Sequence, residues 1–261
     1  MRPSTRIRST IMRLLASDFM LQRRRAKGRK QREAQGLDPV VYYFHQVDDP
    51  YSFIMAQQLT RFADIASVSI KPFLVSDPAA PYKGDASRFD AWAIADAANI
   101  APFLGEALPI ASGDESSTQP NNTQREAGEA ALSPLLEADL SIFTTEAQRI
   151  GLALWHHHSL LKPSHQEKAH AETSIAAGDS LRASLGHFQG GTLYFDGEWY
   201  WGVDRLPLLL ARLKEEGHSQ APIDDFDIYA AGSVRPLAVS SAVNHNITLE
   251  YFPSLRSPYT A

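Results

Sequence analysis

Three features of the 261-residue sequence predict an α/β fold. Two apolar, β-prone runs at 40–44 and 68–74 bracket an amphipathic segment, a strand–helix–strand unit of about 35 residues. Two more β-rich runs, Thr192-Leu193-Tyr194-Phe195 and Glu198-Trp199-Tyr200-Trp201, flank Asp196-Gly197, a strong two-residue hairpin signal. Between these two units, residues 76–188 carry mainly helical periodicity.

Val40 to Phe44 is near-continuously apolar and reads as a buried strand. Pro50 suits a first helical position, where its missing N–H costs nothing, and Asp49 before it is an N-cap residue. The helix is predicted over 51–63, with Phe53, Ile54, Leu59 and Phe62 on its apolar face, and a parallel strand follows at 68–74. Helices are expected at 88–100, 124–138, 144–160 and 164–177, with another beginning near 180. The polar stretch 112–124 is expected to be a surface loop. After the hairpin, Gly202-Val203-Asp204-Arg205 opens a helix over 204–214 with Leu206, Leu208, Leu209, Leu210 and Leu213 as its core side. Residues 217–246 read as a linker, with a short strand at 226–229.

The hydrophobic share of 44% supports a sizeable core, and no apolar run is long enough to span a bilayer. There is no cysteine, which excludes disulfides, Cys-ligated metals and a thiol nucleophile from this chain. The net charge of −5 conceals an asymmetry: residues 1–36 hold eleven Lys/Arg against Asp18 and Glu33, and the remainder is strongly acidic. Such an arm (1–37) suits nucleic acid, anionic lipid or its own acidic body. Self-docking is the simplest of these, and nothing indicates a base-reading module. Ile7, Ile11, Leu14, Leu15 and Phe19 recur near helical spacing and predict an amphipathic helix over 5–25, running into a solvated basic stretch. His156, His157 and His158 are consecutive, so on a helix they diverge by about 100° each and do not converge on one metal ion. No metal is expected.

A motif also recurs. Tyr43-Phe44 through Pro50-Tyr51-Ser52 aligns without gaps on Tyr251-Phe252 through Pro258-Tyr259-Thr260, each copy after an apolar run. The recurrence predicts one full domain over 38–216 and the first strand and helix start of a second, truncated copy at 247–261.

The order βαβ, long helical insertion, β-hairpin, C-terminal helix is that of a thioredoxin-like fold. The pieces FHQVDDPYS and GGTLYFDGEWYWGVDRLPLLLARL resemble the DsbA-like proteins, in particular the branch of 2-hydroxychromene-2-carboxylate isomerase and kappa-class glutathione transferase. The resemblance covers about 38–215. It implies glutathione as a cofactor, a small-molecule thiol or aromatic substrate, and a cytoplasmic protein, with the second repeat as an intramolecular partner. It places Asp49 and Ser52 at the reactive position, and Ser257 at the same position of the second copy; His45, at the end of the first strand beside Asp48 and Asp49, is a candidate for proton transfer. Pro50, Tyr51, Gly191, Thr192, Trp201, Asp204 and Arg205 fall where relatives hold the peptide. Two departures stand out. Redox relatives begin this helix Cys-Pro-x-Cys, whereas here the residues are Asp49-Pro50-Tyr51-Ser52, so disulfide exchange is impossible. Glutathione-using relatives place a hydroxyl donor before the Pro, whereas ionised Asp49 only accepts and is expected to be kept ionised by the helix dipole. Gly191 stands where relatives have a cis-proline. The expectation is a glutathione-related domain with a degenerate reactive motif, or a non-catalytic binding module using the same cleft or the basic arm.

Overall fold

In the computed structural model, residues 11, 13–15, 17–83, 85–104 and 120–220 are described. Ser257, the second repeat, the 226–229 strand and most of the 112–124 loop and the linker lie outside them. Two compact units divide the chain. One holds residues 37–195 and 199–233, and the other 1–36, 196–198 and 234–261.

The larger unit is built on a four-stranded sheet of order β2-β1-β3-β4. β1 (Val40–His45) runs parallel to β2 (Ser69–Leu74), with Val41 opposite Ile70 and Phe44 opposite Phe73. β3 (Thr192–Phe195) lies antiparallel to β1, with Tyr43 opposite Leu193, and turns into β4 (Glu198–Trp201). The turn residues Asp196 and Gly197 both have positive φ, 37° and 88°, as a twisted two-residue hairpin requires. This is the thioredoxin-like arrangement expected from the sequence.

Strand alternation sorts the sheet's faces. Val41 and Tyr43 point with Leu193 and Phe195 into a core shared with Ile54, Leu59 and Phe62 of α2 (Pro50–Ala66). On the other face Phe44 meets Phe73 and Trp199, at ring-centroid distances of 5.5 and 5.2 Å. The insertion supplies α3 (Ala86–Ile100), α4 (Asn122–Leu132), α5 (Leu140–Trp155) and α6 (His165–Ser184). Capping boxes start α4 (Asn121 with Gln124) and α6 (Ser164 with Glu167). α4 therefore begins inside the predicted loop, and α6 absorbs the separate helix expected near residue 180. α5 approaches α2 at Gly151, where an added Cβ would lie 2.2 Å from the Phe53 ring. A 3-10 turn, Val203–Arg205, leads into α7 (Leu206–Glu215), whose Leu206, Leu209, Leu210 and Leu213 close the core. Leu208 is instead exposed.

In the smaller unit, α1 (Asp18–Ala34) carries the basic run. The predicted helix over 5–25 is interrupted: the Ser17 hydroxyl accepts from Met20 N–H and donates to the Leu14 carbonyl, starting a new helix. The basic stretch is thus helical. Arg25 pairs with Glu198 (2.8 Å) and Arg32 with Asp196 (2.9 Å), and Gly28 allows backbone contact with Asp196 and Gly197.

Candidate functional site

The first turn of α2 is organised by Asp49. Its Oδ2 accepts from the Ser52 N–H and from the Ser52 hydroxyl, both at 2.7 Å. The Ser52 Oγ in turn accepts from Gln46 N–H at 3.2 Å, and Ser52 is fully buried. Beneath it, Tyr43 donates to the Ser52 carbonyl at 2.9 Å. Tyr43 also meets His45 Nδ1 at 2.8 Å. With the phenol proton committed to Ser52, the His45 Nδ1–H is the donor.

Asp49 lines a cleft of about 180 Å³ together with Gln46, Asp48, Asp77, Lys83 and Asp90. The Gln46 amide donates to Asp48 (3.0 Å) and Asp77 (3.3 Å). Lys83 sits between Asp77 and Asp90, at 2.7 and 2.8 Å. Arg125 of α4 stands 3.9 Å from Asp48. The cleft thus gathers four carboxyl groups around one lysine, which is already engaged by two of them. It opens at the carboxyl ends of β1 and β2, where parallel strands commonly present ligand sites.

Burial dominates the electrostatics. It raises the Asp49 carboxyl to about 6, outweighing the two Ser52 hydrogen bonds that favour the anion, and neighbouring Asp48 pushes the same way. The helix dipole is expected to keep Asp49 ionised; desolvation raises the group instead of lowering it, yet at about 6 the anion still prevails at pH 7.5. Burial also raises Asp48, against the pull of Gln46 and Arg125. It drives His45 down to about 3, so the imidazole stays neutral.

These shifts give a prediction. The folded-state value of Asp49, about 6, lies above its ordinary 3.8. The folded protein thus holds this proton more tightly than the unfolded chain, and the associated stability is lost as pH rises through that window. Asp49→Asn keeps a capping oxygen and removes the buried charge. Its unfolding midpoint should gain on the parent's as pH goes from 4 to 7. A difference that stays constant across that range contradicts the assignment.

Asp49 and Pro50 line the cleft, but the other sequence candidates do not gather there. His45 is buried against Phe143 and Tyr43, so it is not an accessible proton carrier. Ser52 is likewise sealed in, and its hydroxyl proton goes to Asp49. The Tyr51 hydroxyl donates to Asp96 at 2.7 Å. Thr192 is buried and its hydroxyl reaches the Gln189 carbonyl at 3.4 Å. Trp201 is half-exposed, and Arg205 pairs with its neighbour Asp204 at 3.3 Å in solvent, away from the cleft lining. Gly191 lies against the reactive position without a cis peptide. Its φ is +59°, and an added Cβ would sit 3.2 Å from Asp49 Oδ2 and 3.1 Å from Ser52 N. The left-handed backbone, rather than a proline ring, brings this loop onto the helix start. Asp77, Lys83 and Asp90 were not singled out from the sequence. The signal for Asp77 was its place just after β2.

Among solved structures, the chain is similar to a 2-hydroxychromene-2-carboxylate isomerase, at 14% identity and a TM-score of 0.48, over 68% of this chain and 96% of that one. It is also similar to a candidate protein disulfide isomerase from Nitrosomonas europaea, at 13% identity and a TM-score of 0.44, over 69% and 98%. No protein-family model matches the sequence, and no curated protein matches it. No helix among the described residues is long and apolar enough to cross a membrane.

Proposed function

We propose that this chain is a DsbA-like, thioredoxin-fold binding module, related to the hydroxychromene-carboxylate isomerases, whose cleft holds a ligand without activating a thiol. The observation that carries this reading is the double hydrogen bond from Ser52 to Asp49 Oδ2. A thiolate at a helix start needs a donor, and both hydroxyls of the first turn already donate to carboxylates, Ser52 to Asp49 and Tyr51 to Asp96. Ionised Asp49 only accepts, and Asp48, Asp77 and Asp90 add negative charge around it. Glutathione carries two carboxylates of its own, and the cleft's lysine is engaged by Asp77 and Asp90. Neutral and cationic groups suit this lining; anions do not.

The test is competitive. In saturation-transfer NMR at millimolar ligand and pH 7.5, arginine amide should receive magnetisation from the protein, and Asp77→Asn/Asp90→Asn should weaken that transfer. Glutathione should receive none, and glutathione-dependent turnover of 1-chloro-2,4-dinitrobenzene should stay at the uncatalysed rate. Transfer to glutathione with catalysed turnover would reinstate the glutathione-dependent reading.

A further inference from the structure

We infer that the N-terminal arm is a peripheral docking element for an anionic lipid surface. At 3.6 residues per turn, α1 divides into two faces. Leu21, Arg25, Gly28 and Arg32 fall within about 60° of one another. All four are partly covered, and Arg25, Gly28 and Arg32 meet Asp196, Gly197 and Glu198. Phe19, Arg23, Lys27 and Lys30 fall within about 80° of one another on the opposite side. All four are exposed, Phe19 at 66%. The arm's two acids, Asp18 and Glu33, lie outside this second face. One face of the helix is thus already used, and the other is basic with an aromatic at its start.

Residues just before α1 are also exposed and apolar. Ile11, Leu14 and Leu15 are exposed at 50, 54 and 44%, with Arg13 among them also exposed. Exposed apolar side chains close in sequence to a cationic helix face match the headgroup region of a bilayer, which takes apolar groups below and neutralises cations above. A nucleic acid would use the cations but offers little to Ile11, Leu14, Leu15 and Phe19. The complementarity therefore favours lipid. No helix among the described residues is long and apolar enough to cross a membrane, and the docking inferred is peripheral.

The experiment is co-sedimentation of the full 261-residue chain with vesicles at 0.15 M salt. Binding is expected to vesicles containing 30% phosphatidylserine, to fall with added salt, and to be absent with pure phosphatidylcholine. Arg23→Gln/Lys27→Gln/Lys30→Gln should weaken binding on the order of a hundredfold, from roughly fivefold per surface cation. Leu14→Ser/Phe19→Ser should weaken it about tenfold or more through lost apolar burial. Both variants leave Arg25, Gly28 and Arg32 intact, and their thermal unfolding should match the parent's. Absence of binding to anionic vesicles overturns the inference, as does equal binding to zwitterionic ones. So does binding that ignores Leu14→Ser/Phe19→Ser while duplex DNA binds as tightly, which would assign the face to polyanions in general.

Discussion

Gly178→Leu should lower the unfolding midpoint by several °C and loosen the acidic cleft at the same time. An added Cβ at Gly178 would lie 2.0 Å from the Leu74 carbonyl oxygen and 3.3 Å from Val75. The first of these neighbours is backbone, so no side chain can swing away. Either α6 must lift off the end of β2 or the strand must bend. Overpacking of this kind costs about 1–3 kcal/mol and occasionally more. For a domain of this size each kcal/mol moves the midpoint by about 2–4 °C. The better helix propensity of Leu returns less than about 1 kcal/mol. Ala177→Leu, one residue away on the exposed side of the same helix, should stay within about 0.5 kcal/mol of the parent. The lesion reaches the cleft because Ser76, two residues past β2, is held by α6. Asp179 accepts from its N–H at 3.0 Å and its hydroxyl at 2.6 Å, and Arg182 donates to its carbonyl at 3.1 Å. Asp77 follows directly. Equal midpoints for Gly178→Leu and Ala177→Leu would contradict this packing.

Arg212→Ala should be the most damaging single change in α7. Arg212 is 2% exposed. Its Nε meets Glu216 at 2.9 Å, its Nη1 donates to the Phe195 carbonyl at 2.6 Å, and its guanidinium lies 4.8 Å from the Phe195 ring centroid. Truncation leaves a carbonyl and a carboxylate buried without this partner. Breaking a buried pair from one side costs about 3–5 kcal/mol. Arg212→Lys is no rescue, since a single ammonium does not reproduce a planar fork reaching two acceptors. Removing the second charge as well, in Arg212→Ala/Glu216→Gln, should restore part of the loss, so the two changes are not additive. Thermal unfolding of the four proteins in the cycle measures the coupling. Full additivity would show that the two side chains do not support each other.

Much of this fold was legible because its signals are local. The Asp196-Gly197 turn needs two residues that tolerate positive φ, and both adopt it. Asp49-Pro50 announces a helix start, and Asp49 caps it. Strand alternation also carries a signal for His45: it shares a face with Val41 and Tyr43, which places it in the core. The cleft was less legible because its parts converge only through tertiary packing. Asp48 comes from the loop after β1, Asp77 from the loop after β2, and Asp90 from α3, with Lys83 drawing the last two together. The upward shift of Asp49 has the same origin. The dipole is a property of the helix, readable from sequence, whereas desolvation depends on what packs over it.

The central claim is that, among the described residues, the start of α2 presents a carboxylate acceptor at Asp49 whose neighbouring hydroxyl donors are already committed. Calorimetric titration of the full chain with glutathione at pH 7.5 tests it most directly. The account predicts no binding heat up to millimolar peptide. A saturable isotherm with submillimolar Kd, altered by Asp49→Ser, would contradict it.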